Sequence, residues 1–468
     1  MGEAIAALKE SRRRALPVRY AVRAALFATA MLCAGMPAAQ ATTLEEALAA
    51  AYSSNPRLLA ARAELRSIDE GVAQARGEGR PTAFLVGEAG EQWSDSNVGP
   101  AGWQTPRAVA IELEQPIYRG GSIEAGTERA ENDVQAARAR LAGVEQDVLG
   151  DAVVAFMDVV RDEAELALRE NNEQVLVRQL QATRDRFEVG EVTRTDVSQA
   201  ESRLALATAE RIEAEGAFQA ALAFYEEVIG MPAVDLEDPT PLTTLPSSEQ
   251  ETVTLSEGTP GVIAAIYDVA SAKALVDEVF GELLPRFNIV GRVSADDDAT
   301  SNGINRESAA ILAELTVPFY QGGIPDSRVR EAKQIASQRT LDLDTARRRA
   351  IQEAIRSWQA YITADATIDS FEAQVRATQL ALEGVREEAT VGARTVLDIL
   401  DAEQEALDAQ VSLIRARRNF LVAAYAVLRA IGGLTADQIG LPVEYYDPDV
   451  HYQAVRDKIW GTELPMLE

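Results

Sequence analysis

Cysteine and histidine are almost missing from this chain of 468 residues, which has one of each, Cys33 and His451. A single cysteine closes no internal disulfide. Cys33 also lies in an apolar run expected to be removed, which leaves no thiolate for catalysis or metal binding. His451 stands in an irregular acidic tail and reads as a surface residue, not as a metal ligand or catalytic base. Neither Gly120-Gly121 nor Gly322-Gly323 is followed by the Gly-Lys-Ser/Thr of a nucleotide loop. No enzyme, metal site or cofactor is expected. Aromatic residues make up 6% of the chain, too few for two conventional globular cores. Basic residues are outnumbered 45 to 74, giving a formal charge of −29 that argues against nucleic acid as a partner. After the first 41 residues no continuous apolar run approaches the roughly 18 to 20 of a membrane-spanning helix, so a bilayer crossing would have to use strands. Proline is absent between Pro116 and Pro232 and again between Pro325 and Pro442.

What is present begins with a secretory pattern. Residues 1–41 hold six basic side chains, then the apolar stretch from Ala24 to Gly35, then Ala39-Gln40-Ala41, which reads as a signal peptide. Leu32 before Cys33 is too large for a lipidation site. Without this segment the chain would stand near −33 (−29 − 6 + 2).

The remainder is written twice. Val189-Gly190-Glu191-Val192-Thr193-Arg194-Thr195-Asp196 returns as Val391-Gly392-Ala393-Arg394-Thr395-Val396-Leu397-Asp398, an offset of 392 − 190 = 202. In each copy Gly supplies a left-handed helix stop and Thr-x-x-Asp opens the next helix, so both are helix–helix turns. Gln115-Pro116-Ile117-Tyr118-Arg119-Gly120-Gly121 and Val317-Pro318-Phe319-Tyr320-Gln321-Gly322-Gly323 share the offset. The expected organisation is a first repeat over 42–230, a linker over 231–260, a second repeat over 261–432 and a tail over 433–468. The first repeat should open with one helix from Thr43 to about Gly77.

Helical patterning from about Ser122 to Val189, and from about Pro325 to Val391, predicts helices of roughly 100 Å at about 1.5 Å per residue. On the helix after the second turn, Ile399, Ala406, Leu413, Phe420 and Val427 form one column with a strict seven-residue spacing. Ala402, Ala409, Ala416, Ala423 and Ala430 form a second, and Leu400, Leu407, Ile414, Leu421 and Leu428 a third. That spacing predicts left-handed supercoiling, and two apolar flanks imply neighbours on two sides. In Val109-Ala110-Ile111-Glu112-Leu113-Glu114 the apolar residues alternate with the others, as in a strand with lipid on one side and water on the other. A β-hairpin is expected over 82–115 around a polar loop from Trp93 to Thr105. A second is expected over 286–317 around the acidic loop at Asp296-Asp297-Asp298. Taken alone, the alternation fits a soluble hairpin as well. Four strands cannot enclose a pore, so the membrane reading requires an oligomer.

The paired Pro-aromatic/aliphatic-Tyr-x-Gly-Gly segments and the Val-Gly-x-Arg-Thr-x-x-Asp-x-x-Asp turn resemble those of the TolC family of outer-membrane export channels, over about residues 43–433. The resemblance implies a mainly α fold with a small β part. Tandem-duplicated α-hairpins would build a trimeric helical tunnel, and four strands per chain would enter a twelve-stranded transmembrane β-barrel. It implies a homotrimer that lies in outer-membrane lipid with most of its mass in the periplasm. Such a trimer would be the passive exit duct for proteins or small toxic molecules, as in type I secretion or efflux. Its partners would be a periplasmic adaptor at the turns of Gly190 and Gly392 and an inner-membrane ABC exporter or proton-driven pump. By position Arg394 is similar to the family's gate arginine and Asp196 to its acidic partner. Asp398 and Asp401 are similar to the entrance acidic rings. The family's gate tyrosine falls at Ala389, so that hydrogen bond is absent, and the closed state is held either more weakly or by other contacts, such as those of Arg194 or Glu388. Two alternatives stand beside this: Asp196 and Asp398 as simple capping carboxylates, and the whole chain as a soluble periplasmic coiled-coil adaptor.

Overall fold

A computed structural model describes residues 42–96, 99–239, 242, 245–297 and 305–464. The expected signal peptide with Cys33, and Asp298 of the acidic loop, lie outside the described residues.

Thr43 opens the first helix with a capping box, its hydroxyl accepting from the Glu46 N–H. The single helix expected from Thr43 to Gly77 is instead two, α1 (Leu44–Ser54) and α2 (Pro56–Gly77). Pro56 has no N–H to continue α1, so it begins a new helix, with the Asn55 side chain accepting from the Arg57 N–H. Asn55 also donates to the Val228 carbonyl at 2.8 Å, which ties this corner to the far end of the first repeat.

The strands follow as β1 (Thr82–Ala89), β2 (Gln92–Ser96), β3 (Gly99–Gln104) and β4 (Arg107–Arg119), with β5 (Arg286–Asp297) and β6 (Asn305–Thr316) in the second repeat. The expected loop from Trp93 to Thr105 is mostly a paired ribbon, β2 against β3, with Trp93 opposite Trp103. The other four strands form one antiparallel sheet in the order β1-β4-β5-β6. Leu85, Ile111, Val293 and Ala309 stand in one row across it, and Phe84, Glu112, Arg292 and Ala310 in the next. One face is therefore apolar, with Leu85, Val109, Ile111, Val293 and Ile311 exposed. The other carries Glu112, Glu114 and Arg292 together with the apolar Phe84 and Leu312.

Two hairpins of very long helices extend from the sheet. In the first, α3 (Ser122–Glu188) returns as α4 (Arg194–Ile229); in the second, α7 (Ile324–Thr390) returns as α8 (Val396–Ala430). Each outgoing helix has 67 residues, about 100 Å at about 1.5 Å per residue. Ala409, Ala416, Ala423 and Ala430 are buried on α8, as are Ala200, Ala207 and Ala221 on α4. Residues this small let backbones pack closely. Between the repeats lie α5 (Glu249–Leu255) and α6 (Pro260–Phe280), so the expected linker contains a helix. The stretch 249–283 contains a window whose mean hydropathy reaches 1.2, although Asp268, Lys273 and Asp277 interrupt its apolar residues and it holds no continuous apolar run of membrane-spanning length. It belongs to separate helices, of which α6 packs along α3 and α7 and leads directly into β5.

The main core lies where α1 and α2 cross α3, α4 and α8, around Leu48, Leu58, Leu149, Phe156, Tyr225 and Leu434. The tail contributes α9 (Pro448–Val455), and here the expectation for His451 is overturned. Its ring is 4% exposed, with Nδ1 2.9 Å from Oδ2 of the fully buried Asp69 on α2. The acidic sequence around His451 gives no hint that α9 lays one face against α2. Burial pushes the Asp69 carboxyl above its usual range, and the His451 hydrogen bond opposes that rise. His451→Ala would leave both carboxylate oxygens buried without a partner, since Oδ1 already has none. A loss of about 1–3 kcal/mol is expected, read as a lower melting midpoint.

Candidate functional site

The sheet stands at one end of the molecule and the two helix–helix turns at the other. At each turn glycine adopts the left-handed backbone, with φ +82° at Gly190 and +81° at Gly392. The chain closes with Glu191 N–H donating to the Arg186 carbonyl, and Ala393 N–H to that of Glu388, both at 2.9 Å. The next helix starts with a reciprocal capping box in both copies. Thr193 N–H donates to Asp196 Oδ2, and Thr395 N–H to Asp398 Oδ2, each at 2.8 Å.

Both aspartates are thus capping groups within one copy. The backbone N–H of Thr395, and then its hydroxyl, hold the Asp398 carboxyl below the usual carboxylate range, and Thr193 does the same for Asp196. Within a copy this is opposite to the rise that crowded like charges in an acidic ring produce. A folded pKa below the unfolded one stabilises the turn above the unfolded value, and that stability is lost as pH falls through the folded value. Both turns should therefore keep their shape in mildly acidic solution and fray only well into the acid range.

Arg394 and Asp196 are not brought together inside a copy. Arg394 Nε donates to Glu388 Oε2 at 2.7 Å, a bond within the second turn next to Ala389. Arg186 and Glu191 make a comparable pair at the first turn, at 3.1 Å. The tie between the hairpins involves a residue that the sequence reading missed: Arg203 Nη2 on α4 meets Asp401 Oδ1 on α8 at 2.5 Å. Beside it Leu176, Ala207, Val396 and Leu400 form a small separate apolar cluster. A usable signal existed in the duplication, because Arg203 corresponds to Glu405 and Asp401 to Gln199. The repeats differ in charge at both positions.

Farther from the turns the second hairpin is clamped to the first by Arg415 on Glu165, Arg418 on Asp158 and Arg429 on Asp147. Between Arg415 and Asp401 no ion pair joins α8 to the first hairpin among the described residues. The turn end is therefore anchored locally by one ion pair and one small apolar cluster. Among the described residues no group of three or more His, Cys, Asp or Glu side chains could hold a metal ion.

Comparison with known proteins gives a consistent result. The family model described as "Outer membrane efflux protein" matches residues 47–230 and 254–433. The outer membrane efflux protein BepC of Brucella suis biovar 1 (strain 1330) is 34% identical over 457 residues, 96% of this chain and 99% of that one. The outer membrane protein TolC of Vibrio cholerae is 25% identical, covering 88% and 96%. Among solved structures, the CmeC outer membrane channel of Campylobacter jejuni superposes with a TM-score of 0.78 at 15% identity, covering 90% of each chain.

Proposed function

Because the chain belongs to the outer membrane efflux protein family, we propose that it works as a homotrimeric, passive exit duct of a tripartite export system. Its place is the outer membrane, with most of the helical mass in the periplasm. The observation that carries this reading is the placement of an amphipathic four-stranded sheet about 100 Å from two helix–helix turns. The sheet accounts for the membrane part and the hairpins for a periplasmic tunnel. The asymmetric burial of the outgoing helices supports an assembly: α3 is buried along its length, whereas α7 leaves Leu341 and Leu380 exposed at 64% and 71%. A soluble adaptor gives no role to an apolar sheet face.

The chain binds no nucleotide in this reading, so an inner-membrane pump supplies the energy, through an adaptor that docks on the turns of Gly190 and Gly392. The tunnel entrance is held by Arg203 with Asp401 inside each copy and by Arg394 with Asp196 between neighbouring copies. Asp398 and Asp401 ring the entrance. Purified protein in a planar bilayer should give small, cation-selective current steps; well-folded trimers that never conduct would refute the duct. Replacing Asp398 and Asp401 by alanine should weaken block by a trivalent cation added to the entrance side. Block of undiminished affinity would confine both residues to capping and pairing.

A further inference from the structure

The tail continues past α9 along α2 toward the sheet. Arg76 of α2 pairs with Asp457 at 2.6 Å, and Arg80 Nη1 donates to the Lys458 carbonyl at 2.7 Å. Arg80 stands two residues before the start of β1, so these bonds bring the tail to the foot of the sheet, where strands pass into helices. There Lys458 Nζ donates to the Glu463 carbonyl and closes a short loop, with Gly461 in the left-handed backbone at φ +102°. On that loop Ile459, Trp460 and Leu464 are 81%, 89% and 83% exposed. Earlier in the same tail His451 and Val455 are buried against the body of the protein. The loop is tied down, yet it turns three large apolar side chains outward.

The neighbouring strands indicate what those side chains meet. β4 extends from Gln115 to Arg119 past the first residue of β1, and over that stretch it pairs with β5 alone. Phe287 and Leu315 stand opposite each other and alternate onto the same face as Val293 and Ala309, the apolar face of the sheet. One extra residue in β4, Ile117, brings Tyr118 opposite Phe287. Tyr118, Phe287 and Leu315 thus form an apolar row at the foot of β4, β5 and β6. β1 adds nothing to it, because the chain beside β4 there is Glu78-Gly79-Arg80, where the Gln115 side chain donates to the Gly79 carbonyl at 3.0 Å. The loop held by Arg80 lies on this side of β4.

We infer that the loop at 458–464 is a membrane-surface contact, in which Ile459, Trp460 and Leu464 enter the headgroup layer of the phospholipid leaflet on the helix side of the membrane. This rests on the outer-membrane placement of the sheet proposed above and gives the tail a part in it. Single apolar side chains are common on soluble surfaces, but three within six residues on a closed loop form a patch. Water would leave that patch unsatisfied. A headgroup layer suits tryptophan, whose ring is buried among apolar groups while its N–H stays hydrated. The contact holds one chain to the bilayer at a point outside the sheet, and it restrains α2 and α9 from rocking against the membrane plane.

Tryptophan fluorescence of the full chain tests the contact, because the four tryptophans are Trp93, Trp103, Trp358 and Trp460. Replacing the first three by phenylalanine leaves Trp460 as the only reporter. Adding Trp460→Phe with Ile111→Trp moves the single indole to the middle of the sheet. Both proteins are reconstituted in phosphatidylcholine vesicles brominated either near the headgroup or deep on the acyl chains. Trp460 should lose most of its emission to the shallow bromines and little to the deep ones, and acrylamide in the water should reach it poorly. The indole at position 111 should lose most of its emission to the deep bromines. Trp460 unquenched by bromine and open to acrylamide, with position 111 quenched, would place the loop in water and overturn the inference. Trp460 shielded from acrylamide but untouched by either lipid would seat it on protein, a neighbouring copy included, and would overturn it as well. An indole at position 111 that no bromine reaches would refute the membrane placement of the sheet, and the contact with it. Arg80→Ala in the Trp460 protein should reduce quenching by the shallow bromines; undiminished quenching would remove Arg80 as the tether.

Discussion

An Ile111→Arg variant is expected to fold as a helical chain and fail to assemble in the outer membrane. Ile111 is 56% exposed at the middle of β4, in one apolar row with Leu85, Val293 and Ala309. If that face meets lipid, a charge near the bilayer midplane costs about 2–4 kcal/mol, and a three-copy ring incurs it three times. Ser308→Arg, one level along and on the polar face, sets the comparison. It loses one hydroxyl contact with Ser294, at 2.9 Å, and exposes its charge to water. Fractionation of membranes, with heat-modifiable trimer on gels, should find Ser308→Arg in the outer membrane and Ile111→Arg absent. Equal assembly of the two would mean that the apolar face meets protein instead of lipid.

How far the sequence anticipates this structure depends on how local each feature is. The two long hairpins follow from the absence of proline and the seven-residue columns, and the turns from Gly190 and Gly392 with their Thr-x-x-Asp boxes. All of these are decided within a few turns of helix. Gly, Ser, Asn and Pro between Trp93 and Thr105 resemble turn residues, so the β2–β3 ribbon reads as a loop, and only cross-strand pairing reveals Trp93 opposite Trp103. The break at Asn55-Pro56 is legible in the sequence, since proline at a helix start is a standard signal. His451 lay out of reach for a different reason. Its partner Asp69 is 382 positions away, and no periodicity links a tail helix to α2. Arg203 falls between these cases: its pairing is tertiary, yet the difference between repeats at positions 203 and 405 marked it as special. For Asp196 and Asp398 the sequence leaves capping and an entrance role both open, and within one copy the capping geometry is what forms. Their role between copies depends on neighbours that a single chain does not contain.

Arg203→Ser should raise the open probability of the channel strongly, and the argument runs through what holds the turn end. Three clamps from α8 to α3, at Arg415, Arg418 and Arg429, fix the second hairpin nearer the sheet. From Arg415 down to the turn, Arg203–Asp401 is the ion pair that ties the hairpins together among the described residues. With side chains 33% and 52% exposed, one such pair is worth about 0–1 kcal/mol. Three copies acting together reach up to about 3 kcal/mol, on the order of a hundredfold in the ratio of open to closed channels. Within one copy, Leu400 and Val396, seated against Leu176 and Ala207 with Val192 and Leu204 beside them, then remain among the described residues to hold the hairpins together at the turn end. Asp401→Ala should open the channel to the same degree, and the double variant no further, because each single change already removes the whole interaction. Arg203→Lys should retain part of the closure, keeping the charge while losing the planar fork. Arg394→Ser tests a different contact, the one proposed with Asp196 of a neighbouring copy, since within one copy its partner Glu388 lies on its own hairpin and joins nothing across to the other. If Arg394→Ser opens the channel and Arg203→Ser does not, the entrance is held between copies instead of within them. Additive effects of the two would mean that both ties must part before the turns move.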